Sequence, residues 1–161
     1  MITITRSSIY LPMAAMILTA ALAIPAAAQQ QVPFKGTFQG KDDVKPPTIT
    51  TTGTGIGTLI GKFSLTQELT LTSGTGPAHW VAANGDSIDS TFVASADFGT
   101  QSLGYITVTE IHTITGGTGR FAGAQGNFVL VRTHIVELSA DGTHVTFGSF
   151  HGTITPPGAA H

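Results

Sequence analysis

The chain predicts an all-β domain: an eight-stranded antiparallel up-and-down barrel. Three features carry that expectation. Apolar and polar residues alternate with a period of two in successive segments, the pattern of half-buried strands. Short turn signals separate these segments, Asn84-Gly85 and Asp141-Gly142 being the clearest. No amphipathic helical stretch follows the apolar N-terminal region. A sandwich satisfies the same pattern, but closing the sheet into a barrel removes its edges. An eight-stranded barrel has an interior that side chains fill or that holds one small ligand.

In order, Phe34 to Gly40 alternates with Phe34 and Phe38 on one face. Lys41 to Pro47 carries four charges and ends in two prolines, which predicts a surface loop. Thr48 to Ile60 is a Thr/Gly strand whose Gly53, Gly55 and Gly57 allow sharp bending. Phe63 to Thr72 alternates most cleanly, with Phe63, Leu65, Gln67, Leu69 and Leu71 facing inward. Ser73 to Pro77 reads as a loop before a short strand around Trp80, a core or rim residue. Ile88 to Phe98 places Ile88, Phe92, Ala94, Ala96 and Phe98 on one side. Strands at Tyr105–Ile114, Asn127–Leu138 and His144–Ile154 complete the eight, and a disordered tail is expected over 156–161.

Between the sixth and seventh strands lies a glycine-dense connection, with Gly116, Gly117, Gly119, Gly123 and Gly126 around Arg120 and Phe121. The glycines let the chain reverse sharply, and Phe121 is the one large apolar side chain available to pin it to a core. Gly117 to Ala122 also fits G-x-G-x-x-A, a dinucleotide fingerprint. That motif functions between a strand and a helix N-terminus. Here Asn127-Phe-Val-Leu-Val131 returns directly to a β pattern, so a structural turn is expected and no cofactor.

Residues 1–28 read as a secretory signal peptide: Arg6 in a basic n-region, an apolar run from Ile9 to Ile24, and cleavage after Ala28. A periplasmic or extracellular protein with barrel domain 29–155 is therefore expected, with no membrane association after cleavage. Net charge is −2 without a basic run, which gives no nucleic-acid footprint. The absence of cysteine excludes disulfides, a lipidated N-terminal cysteine and thiol chemistry.

Gly116–Gly126 resembles the turn of small barrels of the allene oxide cyclase and dirigent type. It is more similar still to secreted bacterial proteins with an allene-oxide-cyclase-like barrel. Gly57-Thr-Leu-Ile-Gly-Lys-Phe63 and Ala82-Ala-Asn-Gly-Asp86 fit the same pattern in the same order. The resemblance implies the barrel, an apolar cavity and a homo-oligomer, often a trimer. It transfers no catalytic residue, since fold alone does not set function.

Polar residues inside the strand pattern supply the candidate chemistry. Glu110 and His112 share a face with Ile106 and Val108; Arg132 and His134 share one with Phe128 and Leu130. In the last strand, Ser149 and His151 share a face with Val145 and Phe147. If these faces point inward, burial demands partners, and a Glu110–Arg132 ion pair would supply them. Glu110, Arg132, His112 and His134 are thus candidate acid–base residues. A buried structural network is the competing, favoured reading. Phe63, Leu65, Leu69, Phe92, Phe128, Leu130 and Phe147 are candidate ligand contacts. Closing the Asp141-Gly142 hairpin with Leu138 beside Thr143 would put His151 opposite Leu130 and His144 opposite Glu137. No histidine spacing is compact enough to predict a metal site. The functional expectation is a non-enzymatic barrel for a small hydrophobic ligand. The alternatives are an isomerase or cyclase acting on a hydrophobic substrate, and a structural or self-associating envelope protein.

Overall fold

The computed structural model describes residues 30–158. The predicted leader over 1–28 and the last three residues of the predicted tail lie outside them. The strands are β1 (Val32–Lys45), β2 (Thr48–Gly57), β3 (Gly61–Thr70), β4 (Thr75–Ala82), β5 (Ser87–Asp97), β6 (Tyr105–Gly117), β7 (Gly126–Leu138) and β8 (His144–Ile154). Each pairs antiparallel with the next, and β8 pairs back onto β1, closing the barrel. Every predicted strand is present, while several boundaries move: β2 stops at Gly57, β3 spans Gly61–Thr70 and β6 runs on to Gly117. β1 runs through the expected loop as far as Lys45, and β4 begins at Thr75 rather than after Pro77.

The interior is filled unevenly. Trp80, Phe34, Phe63, Phe128 and Phe150 pack ring against ring, with centroids 4.9 to 6.0 Å apart, mostly edge to face or tilted. Room for these rings comes from inward-facing glycines on β1, β2 and β8. A Cβ at Gly55 would stand 2.4 Å from Phe63 Cζ, and one at Gly36 would stand 2.6 Å from Phe150 Cζ. The glycine periodicity of β2 therefore serves aromatic packing as well as bending. Burying a large apolar side chain stabilises by about 1.5–3 kcal/mol, so this cluster is the main source of cohesion.

One end of the barrel is shut. After β6 a 3-10 turn, Gly119–Phe121, folds beneath the strands and buries Phe121 against the core with Ala124. Gly119 has φ +57, and a Cβ there would lie 1.8 Å from Asp86 Oδ1, so no other residue fits without displacement. Arg120 lies over the Phe121 ring at 5.0 Å, pairs with Asp86 at 3.3 Å and donates to Ile60 O at 3.4 Å. The G-x-G-x-x-A match is thus a plug, with no helix following it. Residues 156–158, expected in a disordered tail, instead turn back here, where Gly158 N–H donates to Arg120 O at 2.9 Å.

Candidate functional site

The opposite end is formed by the β1–β2, β3–β4, β5–β6 and β7–β8 connections. Inside it runs a polar array, held by inward positions of β1, β2, β3, β6, β7 and β8. Glu110 on β6 and Arg132 on β7 form the anticipated ion pair, Arg132 Nε donating to Glu110 Oε1 at 2.7 Å. In register Arg132 faces Val108, so the pair is diagonal across β6 and β7. The third member was not anticipated. Asp42, on the part of β1 expected to be a surface loop, is fully buried and accepts from Arg132 Nη1 at 2.6 Å. The residue on β8 paired with Arg132 is Gly148, where a Cβ would stand 2.7 Å from Arg132 Cα and 2.9 Å from its Cβ, so only a bare backbone lets β8 lie this close to the arginine.

Neighbours saturate the two carboxylates. Asp42 also accepts from Thr51 Oγ1 at 2.6 Å, and His134 Nδ1 lies 2.6 Å from it. Glu110 accepts from Gln67 Nε2 at 3.0 Å on both oxygens and lies 3.2 Å from His112 Nε2. Thr146 Oγ1 accepts from Arg132 Nη1 at 3.1 Å. Burial by itself would push the carboxyl of Asp42 up. The His134 hydrogen bond, the Arg132 charge and the Thr51 hydroxyl outweigh it, and the group is held below its ordinary value. Glu110 is likewise lowered: burial opposes ionisation, but the His112 hydrogen bond and the Arg132 charge prevail. Desolvation disfavours the Arg132 charge, yet Glu110 and Asp42 raise its pKa overall.

The two candidate histidines differ in surroundings. His112 is fully buried between Phe128, stacked at 4.4 Å, and Phe92, stacked at 5.0 Å. Its Nδ1 lies 3.1 Å from Ser90 Oγ, which accepts from Trp80 Nε1 at 3.3 Å. With Ser90 donating to Nδ1 and Nε2–H donating to Glu110, every donor in the chain has an acceptor. This network assigns the tautomer and makes His112 part of the packed core. His134 stands at the end of the array, with its Nδ1 edge on Asp42 and its side chain 13% exposed. The His144 ring lies 4.6 Å from it and is fixed by its own Nδ1 on Ile135 O at 3.0 Å.

A cavity of about 290 Å³ opens above His134 and Arg132 at this mouth. Its walls are Ile49, Leu69, Ala94, Ala96, Ile106 and Val108, with Leu71 and Phe98 at the rim. Both rim residues are exposed, which corrects the inward placement expected for Leu71 and separates Phe98 from the buried Ile88 and Phe92 of its side. Among the described residues none accepts a hydrogen bond from Arg132 Nη2, and none pairs with His134 Nε2. An apolar chamber thus ends on two nitrogen atoms that have spare hydrogen-bonding capacity.

The predicted ligand contacts divide accordingly. Leu69 lines the chamber, whereas Phe63, Leu65, Phe92, Phe128 and Leu130 belong to the packed core. Phe147 is corrected: it is 45% exposed on the outer wall, and Ser149, Val145 and His151 share that outer face. The cause is register. Val129 pairs with His151 and Leu138 with His144, one position from the expected pairing, and a one-residue slip exchanges the two faces of a strand. Between His134 and Leu138, β7 carries a bulge, the kind of irregularity that re-aims side chains beside a site.

No three metal-ligating side chains converge among the described residues. No helix among them is long and apolar enough to cross a membrane. No protein-family model matches the chain, and no curated protein or solved structure is significantly similar to it.

Proposed function

We propose that this protein is a secreted binding barrel that takes a small, largely apolar ligand into the open mouth. The observation that carries the reading is the chamber: apolar walls ending on Arg132 Nη2 and His134 Nε2. Its volume of about 290 Å³ is at the lower edge of ordinary ligand pockets, roughly 300–1,000 Å³. The deeper interior is closed to a ligand by its aromatic packing. The ligand's polar group is a neutral oxygen. Glu110 and Asp42 already balance Arg132 with one negative charge in excess, so an added anion would meet net repulsion. Secretion rests on the leader-like residues 1–28. Assignment to the secreted bacterial allene-oxide-cyclase-like barrels is part of the same proposal, supported by Gly116–Gly126 and the eight-stranded closure.

Native mass spectrometry of the purified protein, followed by identification of released small molecules, tests the reading. A stoichiometric apolar ligand, absent from an Ala96→Trp variant that fills the mouth, is the expected result. An empty protein that also fails to bind a panel of small alcohols, ketones and phenols would leave a purely structural barrel.

A further inference from the structure

The arrangement around His134 resembles a binding surface less than a proton-transfer device. Asp42 is fully buried, and its oxygen lies 2.6 Å from His134 Nδ1. A carboxylate in that position fixes the tautomer with the proton on Nδ1, leaving Nε2 with its lone pair outward. It also stabilises the imidazolium that forms when Nε2 takes up a second proton. The array contains one more carboxylate than guanidinium, so a proton gained at His134 neutralises it. Arg132 stands two residues away on the same face of β7 and also borders the chamber. Two tasks of carbon-acid chemistry are therefore separated in space: Nε2 can take a proton, and Nη2 can hold the oxygen on which charge develops.

We propose that the Asp42–His134 pair is a general base for proton transfer at the carbon next to a ketone carbonyl bound in the mouth. The idea rests on the ligand-in-mouth reading above and adds an activity to it. His134 Nε2 removes the α-proton, and the C–H electron pair becomes the C=C bond of an enolate. The carbonyl π pair moves to oxygen, which Arg132 Nη2–H holds. The imidazolium then returns the proton to the α-carbon or, in a β,γ-unsaturated ketone, to the γ-carbon, which moves the double bond into conjugation. The bond made equals the bond broken, so no oxidant, reductant or cofactor enters. His134 and Arg132 are the catalytic residues and Asp42 is a positioning residue.

Groups facing His134 from neighbouring elements are Asp42 on β1, Arg132 on its own strand and His144 on β8.

The test is exchange of α-protons for deuterium in cyclopentanone and cyclohexanone, followed by NMR. Conversion of cyclohex-3-en-1-one to its conjugated isomer is followed by absorbance. Binding of the same ketones is measured separately by NMR titration. The expected result is catalysed exchange that falls at least about 100-fold in His134→Gln, far more than binding weakens in that variant, and stays unchanged in His151→Gln on the outer wall. Binding without catalysed exchange would overturn the base proposal and leave the pocket intact. Exchange that survives His134→Gln would overturn it too. Failure of every ketone to bind would defeat the ligand reading itself, and the base proposal with it.

Discussion

Replacing Arg132 by Met tests whether the buried array is a single electrostatic unit. The guanidinium makes three hydrogen bonds, to Glu110 at 2.7 Å, Asp42 at 2.6 Å and Thr146 at 3.1 Å. Methionine fills similar space but leaves two buried carboxylates facing each other with no cation between them. Removing one partner of a buried pair costs about 3–5 kcal/mol, and two stranded carboxylates place this variant at the upper end. Equilibrium urea unfolding followed by Trp80 fluorescence measures the loss. Acid supplies a second signature. In the native protein both carboxyls are held below their ordinary values of 3.8 and 4.5. Their stabilisation is complete above those values and is lost as pH falls through the lower folded ones. In Arg132→Met burial dominates and pushes both carboxyls up, so acid relieves the variant while it weakens the native protein. The gap should therefore narrow from about pH 7 to pH 4. A loss below about 1 kcal/mol, or a gap that stays constant with pH, would refute the reasoning.

Further outcomes follow from the same geometry. The triple replacement Asp42→Asn, Glu110→Gln, Arg132→Met removes all three charges together and should recover most of the single variant's loss in the same urea titration. Phe121→Ala opens the plugged end and should cost about 3–5 kcal/mol, read from the unfolding midpoint. Gly55→Ala, whose Cβ would press on the Phe63 ring, should cost about 1–3 kcal/mol in calorimetry. Phe147→Ser, on the exposed outer wall, should change stability by no more than about 0.5 kcal/mol.

The strands were legible because alternation marks each of them, and the Glu110–Arg132 pair because both residues share a face with clear core residues. Asp42 was not legible. Lys41-Asp-Asp-Val-Lys-Pro-Pro47 has the composition of a solvated turn, yet the period from Phe34 through Gly36, Phe38 and Gly40 continues to it. That continuation was the available signal, masked because glycine carries no hydropathy to mark an inward position. The same silence hid the orientation of β8, where Gly148 and Gly152 point inward and the bulkier Phe147 and His151 point out. The β7 bulge depends on contacts outside the hairpin, such as Val136 N–H donating to Gly104 O at 2.9 Å, so no local turn rule reveals it. Closure of the far end was legible in Phe121 and its glycines, since only a turn packed onto a core needs both.

The central claim is that the open mouth holds a small ligand against Arg132 and His134. NMR titration of the intact protein with cyclohexanone and cyclohexanol, beside the Ala96→Trp variant, tests it most directly. The account predicts saturable shifts centred on Ala94, Val108, Arg132 and His134 that vanish in the variant. Saturable shifts confined to the outer wall around Phe147, or shifts unaffected by filling the mouth, would contradict it.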